Sequence, residues 1–468
     1  MFRRRRRHEI KMGKYFGTDG VRGIANKGLT PELAMQLGRA GAYVLTKAAT
    51  SAPRVLVATD SRHSGGMLAA ALTAGLCSVG AKVYLAGVLP SPAVAYLVRH
   101  HKMDAGVMIS ASHNPMPDNG IKFFSSQGYK LPDEIENEIE KYLDDPKDLP
   151  HPVGRDVGVP TQLEGAAEDY IRYLLSTVNG LAPVSSMGQA LKGISIVLDC
   201  ANGATSHVAP SVFESLGTNV HTIYNRPDGL NINDGCGSTH MGPLSQYVKQ
   251  NGMALGLAFD GDGDRMLAVD ENGREIDGDE ILAICGLDLK ERGLLKGNAI
   301  VATSMSNQGL EVMCNQNGIT LHRTDVGDRY VLAKMLADDL NLGGEQSGHV
   351  IFSDKATSGD GVLTGLMLLS VVVRKQKPLS ELCKVMDVYP QVLVNVQVRG
   401  DRKHDWDKSP VITGAIAEAD KKLNGQGRIL VRPSGTEALV RVMIEGKDKD
   451  VIQAMADEIA GVIGETLA

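Results

Sequence analysis

Asp260-Gly261-Asp262-Gly263-Asp264-Arg265 sets three carboxylates two residues apart with a glycine between each. The apolar run Met253-Ala254-Leu255-Gly256-Leu257-Ala258-Phe259 directly before it reads as a buried strand. In an extended segment residues two apart face the same way, so the three carboxylates are expected to converge there. The glycines leave the backbone free to bend around whatever the acids hold. Three anions brought together repel one another unless something positive sits among them, and a hard divalent cation with oxygen ligands suits that place. An EF-hand calcium loop is the competing reading, since Asp260, Asp262 and Asp264 match its positions one, three and five and Glu271 its position twelve. Arg265 stands where that loop needs glycine, however, and Met266-Leu267-Ala268-Val269 reads as a second strand where a helix should follow. The catalytic-metal reading therefore ranks first, and an acidic surface turn last, because a turn has no use for three aligned carboxylates.

A cation site needs a reacting partner. Ala105-Gly106-Val107-Met108-Ile109 reads as a short buried strand that delivers Ser110-Ala111-Ser112-His113-Asn114-Pro115 into a loop. Pro115 fixes the chain and denies Asn114 a helical conformation. Alone this is an ordinary polar turn. Asn119-Gly120-Ile121-Lys122-Phe123-Phe124 follows closely and places a lysine near the serine. A serine hydroxyl is a weak nucleophile, but a phosphorylated Ser112 gains nearly two negative charges and three acceptor oxygens, one of which could complete the metal site. The cation would then offset charge on a transferring phosphoryl group.

Three further loops have anion- or sugar-binding character, each with a plain turn as its alternative. Phe16-Gly17-Thr18-Asp19-Gly20-Val21-Arg22-Gly23 surrounds one arginine with glycines. Leu342-Gly343-Gly344-Glu345-Gln346-Ser347-Gly348-His349 puts acceptors and a hydroxyl on a glycine-rich loop. Arg432-Pro433-Ser434-Gly435-Thr436-Glu437, with Arg441 beyond it, collects the residue types of a phosphate cradle.

The elements that must position these loops follow one plan used three times: strand, small-residue loop, helix, glycine, strand. It begins at Arg54-Val55-Leu56-Val57, at Ile194-Ser195-Ile196-Val197 and at Ile300-Val301-Ala302-Thr303, with helix-ending glycines at Gly80, Gly217 and Gly318. Such alternation predicts α/β domains, each a sheet with helices on both faces. The fold class is thus α/β: three related three-layer domains over residues 12–165, 166–272 and 273–385, then a smaller α+β domain over 386–468. That last part alternates strand, helix, two strands and helix, the pattern of an antiparallel sheet with helices on one face.

With 468 residues, 43% of them hydrophobic, the chain can bury several cores, and 4% aromatic content makes those cores aliphatic. A net charge of −6 argues against a nucleic-acid partner. The run Arg3-Arg4-Arg5-Arg6-Arg7 is isolated, so residues 1–11 are expected to be a disordered basic extension, and Met12 reads as a fresh start. No apolar stretch of signal-peptide kind follows the arginines. Six scattered cysteines without a Cys-x-x-Cys suit a reducing cytoplasm. The longest apolar region, Val362 to Val373, is too short to span a bilayer, so no membrane partner is expected.

Taken in order, the five loops resemble those of the α-D-phosphohexomutase superfamily, most closely its branch of bacterial phosphoglucosamine mutases. The matching segments are Gly17 to Gly23, Ser110 to Pro115, Asp260 to Arg265, Gly344 to His349 and Arg432 to Glu437, within a resemblance that runs from Met12 to the C-terminus. Ser110 and Gln346 favour the glucosamine branch over the mannose and glucose enzymes. Ala438 departs from the family's usual proline after Thr-Glu, which bears on the stiffness of the phosphate loop and not on its ligands. The resemblance implies four domains around a central cleft, Ser112 as the phosphorylated residue, and a Mg2+ ion on Asp260, Asp262, Asp264 and Ser112. It implies Lys122, Arg22 and His113 at the reacting phosphoryl group, with Glu345 and Ser347 on sugar hydroxyls. Arg432, Ser434, Gly435, Thr436 and Arg441 would hold the phosphate that does not react.

The implied activity is an isomerase: Ser112 exchanges a phosphoryl group so that glucosamine 6-phosphate and glucosamine 1-phosphate interconvert through a 1,6-bisphosphate, feeding amino-sugar and cell-wall synthesis. Lys122 is the expected general base, on the condition that its neighbours hold it neutral. A glucose or glucosamine 1,6-bisphosphate activator, a small-molecule phosphosugar substrate as partner, and a cytoplasmic location complete the expectation, with a homodimer compatible with it. Phosphoglucomutase/phosphomannomutase activity, a metal-dependent sugar-phosphate phosphatase and a non-catalytic sugar-phosphate sensor are the rivals.

Overall fold

The computed structural model describes residues 13–17, 19–47, 52–178, 191–425, 427–434 and 438–468. The expected N-terminal extension lies outside the described residues. The chain forms two compact units, one holding residues up to Ser304 with His322–Cys383, the other Met305–Leu321 with Lys384–Ala468.

The first sheet has six strands, in the order Val21–Ile24, Asp118–Ser125, Ala105–Ile109, Arg54–Thr59, Lys82–Val88 and Pro160–Gln162. Arg54–Thr59 runs parallel to both of its neighbours, while Asp118–Ser125 is antiparallel to Ala105–Ile109 and places Lys122 opposite Met108. The interior strand Ala105–Ile109 is apolar and buried throughout, as a strand covered on both faces must be. The second sheet has the order Glu275–Ile276, Met266–Asp270, Leu255–Phe259, Ser195–Asp199 and Asn219–Ile223. Its edge strand Glu275–Ile276 lies past residue 272, where the sequence pattern ends the second segment. A third sheet orders Thr320–Thr324, Ala299–Thr303, Leu342–Gly344 and Val350–Phe352.

All three expected strand–helix–strand repeats are present, with helices Gly65–Ser78, Thr205–Ser215 and Gln308–Gln316 as their crossovers. The tail forms a three-stranded antiparallel sheet, Gln391–Gln397, Leu439–Gly446 and Gly427–Pro433. Helices Pro410–Leu423 and Lys449–Leu467 share one aliphatic core with it. The apolar stretch from Val362 forms the buried helix Gly361–Lys375, capped by the Asp360 carboxylate on the Leu363 amide. No helix among the described residues is long and apolar enough to cross a membrane.

Ligands of open α/β sheets bind outside the carboxyl ends of the strands. Ala105–Ile109 and Leu255–Phe259 end at the serine loop and the aspartate loop.

Candidate active site

Ser112 sits at φ +52, a conformation few side chains other than glycine adopt without strain, so its surroundings must over-determine it. They do. Buried Arg62 donates to the backbone oxygens of Ser112 (2.9 Å), Asn114 (2.7 Å), Pro115 (2.6 Å) and Asp118 (2.9 Å). Its Nε pairs with Asp60 at 2.9 Å. Asp60 also accepts from Ser110 Oγ at 2.5 Å, and Ser110 Oγ accepts from the Ser112 amide at 2.9 Å. From the second sheet's side, Asn233 donates to the same Ser112 carbonyl at 2.9 Å. None of Asp60, Arg62 and Asn233 stands out in the sequence, because a loop clamp has no fixed spacing.

This clamp aims the hydroxyl at the acid loop. Ser112 Oγ donates to Asp260 Oδ2 at 2.5 Å. The approach depends on Gly261: a Cβ there would stand 2.6 Å from the Ser112 carbonyl oxygen, which no side chain tolerates. The three carboxylates do converge, with one oxygen of each within 4.8 Å of the others and all three residues buried. They converge through a turn and not through strand alternation as the sequence suggests, since the strand ends at Phe259 and Gly263 takes φ +70. Glu271 takes no part. It accepts from the amide and hydroxyl of Ser380, which removes the EF-hand reading.

The acid trio fits a hard cation. Asp262 Oδ1 and Asp264 Oδ1 are buried oxygens without a hydrogen bond, a costly state that an ion would relieve. Burial, then Asp264 and Asp262, push the Asp260 carboxyl far above its ordinary range. Asp264 moves the other way: burial resists ionisation, but His349 and Lys122 outweigh it.

A ring of alternating charge surrounds the trio. Lys122 Nζ lies 2.8 Å from Asp262, 2.9 Å from Asp19 and 4.0 Å from Asp264. Lys130 joins Asp19 at 2.7 Å to Asp328 at 2.6 Å. His349 closes the ring, 3.6 Å from both Asp328 and Asp264. Burial disfavours charge on Lys122, yet Asp19, Asp262 and Asp264 prevail and hold its ammonium above the usual lysine range. The neutral Lys122 that a base requires is therefore not favoured by this arrangement. His113 behaves oppositely: burial, Arg265 and Arg22 push its pKa down to about 4, and its Nδ1 is 3.4 Å from Ser112 Oγ. Arg22 pairs with Asp19. Lys130, Asp328 and His349 were not singled out from the sequence as site residues, although His349 ends a loop that was.

A cleft of about 510 Å3 opens over this ring, lined by Arg22, Ser112, His113, Lys130, Arg265, Asp328, Glu345 and His349 among others. Glu345 accepts from the Gly327 amide at 3.1 Å, and Ser347 Oγ is buried without a hydrogen bond. Gln346 turns away to Asp277, the capping residue of helix Gly278–Glu291.

In the other unit, Arg432 and Arg441 stand directly opposite each other on adjacent strands. Burial, then Arg441, lower the pKa of Arg432. Lys403 Nζ donates to the Ser434 carbonyl at 2.8 Å and adds a third cation to the hairpin. Gly435 and Thr436 lie outside the described residues.

Four domains of the phosphoglucomutase/phosphomannomutase family match this chain: alpha/beta/alpha domains I, II and III over residues 13–149, 168–273 and 277–389, and the C-terminal domain over 393–462. The chain is 53% identical to a phosphoglucosamine mutase of Ruminiclostridium cellulolyticum, across 97% of this chain and 99% of that one. It belongs to the phosphoglucomutase/phosphomannomutase family. A phosphoglucosamine mutase of Caldicellulosiruptor saccharolyticus is also 53% identical, across 98% and 100%. Among solved structures, a phosphoglucomutase/phosphomannomutase family protein from Burkholderia thailandensis shares the fold, with a TM-score of 0.78 at 23% identity over 96% of this chain and 97% of that one. An N-acetylphosphoglucosamine mutase from Aspergillus fumigatus, solved with GlcNAc-6P and magnesium, has a TM-score of 0.58 at 18% identity, over 84% and 94%. As a phosphohexomutase, the chain is an isomerase that moves a phosphoryl group within a sugar phosphate.

Proposed function

We propose that this phosphohexomutase interconverts glucosamine 6-phosphate and glucosamine 1-phosphate, with Ser112 as the phosphoryl carrier. The observation that carries the reading is the meeting of the Ser112 hydroxyl with the buried acid trio at 2.5 Å, on a chain about half identical to phosphoglucosamine mutases over nearly its whole length. Phosphorylated Ser112 transfers its group to O1 of glucosamine 6-phosphate. The 1,6-bisphosphate reorients, and its 6-phosphoryl group returns to Ser112, leaving glucosamine 1-phosphate. A glucose or glucosamine 1,6-bisphosphate would load an unphosphorylated enzyme by the same exchange.

Asp260, Asp262 and Asp264, with an oxygen of phosphorylated Ser112, would hold a magnesium ion, which offsets charge on the phosphoryl group in transit. Arg22 and Lys122 supply fixed positive charge at the same place. The attacking hydroxyl must lose a proton. Lys122 is held as a cation here, and His113, whose Nδ1 lies 3.4 Å from the carrier oxygen, is the other group placed to take the proton. Glu345 and Ser347 would meet sugar hydroxyls, and Arg432, Ser434, Gly435, Thr436 and Arg441 the idle phosphate. The setting suits a cytoplasmic enzyme of amino-sugar synthesis.

Product assays on glucosamine, glucose and mannose 6-phosphates test the substrate. Fastest isomerisation of the glucosamine ester is expected. Faster isomerisation of the glucose or mannose ester would transfer the assignment to that sugar. Release of inorganic phosphate without an isomerised ester would make the chain a phosphatase. Lys122→Arg, which keeps the charge, is expected to retain turnover within about 100-fold of wild type, while His113→Ala loses more. The reverse order would restore Lys122 as the base.

A further inference from the structure

The helix Ser91–His100, with its cap, ends in two consecutive histidines. Consecutive residues on a helix do not face each other. Here the helix stops at His100, and His101, as its cap, brings its ring edge-on to the His100 ring at 4.8 Å between centroids. Asp169, on helix Ala166–Val178, completes the group: its Oδ2 lies 3.1 Å from His101 Nε2 and 3.8 Å from His100 Nε2. One ligand atom from each of the three residues lies within 4.8 Å of the other two.

Two ligand atoms held ~2.0–2.1 Å from a zinc ion at a tetrahedral angle stand roughly 3.3 Å apart. The two nitrogen-to-oxygen distances bracket that span. His101 Nε2 is buried and makes no hydrogen bond despite the nearby carboxylate, so its geometry is not that of an imidazole simply donating to Asp169.

The groups behind the ligands are also in place. Tyr96 Oη lies 3.1 Å from His100 Nδ1, which commits that nitrogen to a hydrogen bond and leaves Nε2 for an ion. Arg172 takes the other oxygen of Asp169 at 2.8 Å, which leaves Oδ2 free to point at the histidines. Two imidazoles and a carboxylate form a nitrogen-rich set that prefers zinc, cobalt or nickel to magnesium.

We infer that His100, His101 and Asp169 form a second cation site, for a zinc-type transition metal, chemically distinct from the all-carboxylate trio. His100 is half exposed, so water fills the remaining coordination position. Arg172, on the carboxylate, and Arg54, which donates to the His101 carbonyl, place positive charge close by and keep the affinity modest. The bound ion fastens the end of helix Ser91–His100 to helix Ala166–Val178. The opposite end of the first helix touches the aspartate loop: Ser91 donates through its hydroxyl to the Asp262 carboxylate, and through its amide to the Asp262 carbonyl at 2.8 Å. About 15 Å of helix therefore separates the two cation sites.

The test uses the full chain with the acid trio saturated by excess magnesium, titrated with Co2+ as a spectroscopic probe and then with Zn2+. One Co2+ per chain with ligand-field bands of low-coordinate nitrogen and oxygen ligation is expected, displaced by Zn2+. Zn2+ should also raise the melting temperature. His100→Gln and Asp169→Asn should each weaken binding by at least about 10-fold, while keeping wild-type melting without zinc and wild-type mutase turnover in magnesium. No binding up to roughly 100 μM Co2+ or Zn2+, or equal binding by wild type and both variants, overturns the site. Should Asp169→Asn fold poorly, His100→Gln decides alone, because its side chain is half exposed.

Discussion

The acid loop and the arginine hairpin both concentrate like charge, and they treat it in opposite ways. Asp260, Asp262 and Asp264 are buried completely and ringed by built-in counter-ions, Lys122, Lys130 and His349. Arg432 and Arg441 oppose each other on neighbouring strands with Lys403 adding further positive charge. The first cluster is pre-organised for one small cation in a fixed place. The second, with two guanidinium groups side by side, suits an anion, which on our proposal is the phosphate that does not react. Like charge that a fold keeps together at a cost to its own stability marks the place where a ligand of opposite sign is expected.

The contrast predicts separable failures. Ser112→Ala removes the proposed phosphoryl carrier, and turnover should fall by at least ~10^3-fold with far-ultraviolet circular dichroism unchanged. Near-normal turnover would remove Ser112 as carrier. Asp262→Asn should raise the half-saturating magnesium concentration by about 10-fold or more, with little change in the KM for sugar phosphate. Arg432→Ala should do the converse, lowering kcat/KM by roughly 10- to 100-fold through KM, as loss of a charged hydrogen bond of ~1.5–3 kcal/mol implies, with the magnesium requirement unmoved. If both variants shift both quantities alike, the two clusters are not separate devices.

The smallest effect comes from Asp199, a buried carboxylate near the acid loop that has no cation beside it among the described residues. Burial pushes its pKa up to about 6, and only the Ala201 and Gly237 amides stabilise its charge. A raised carboxyl pKa gives stability that is complete below the unfolded value of about 4 and lost as the pH rises through the folded value. The stability of wild type relative to Asp199→Asn, from urea unfolding, should therefore fall between pH 4 and pH 6. A pH-independent difference would show that Asp199 ionises without strain.

The strand–helix–strand repeats were legible because short continuous apolar runs and longer helical stretches leave different marks along a chain, and helix-ending glycines punctuate them. The carboxyl ends of two strands then located the serine and aspartate loops. The way the aspartates meet was not legible: alternation along a strand and a tight turn place residues 260, 262 and 264 together equally well. Lys130 and Asp328 stayed hidden because each is one charged residue in an ordinary context, and only the folded chain joins them, 2.6 Å apart, across 198 positions. The charge state of Lys122 was equally invisible, since it depends on Asp19, Asp262 and Asp264 arriving from two other segments.

The claim on which the rest stands is that Ser112 Oγ carries the phosphoryl group. Its most direct test is peptide mass spectrometry of magnesium-supplied enzyme after incubation with glucosamine 1,6-bisphosphate, repeated after addition of excess glucosamine 6-phosphate. The account predicts a single phosphate on the peptide containing Ser112, lost to the sugar on the second addition. Full mutase turnover with no phosphate ever found on Ser112 would contradict it.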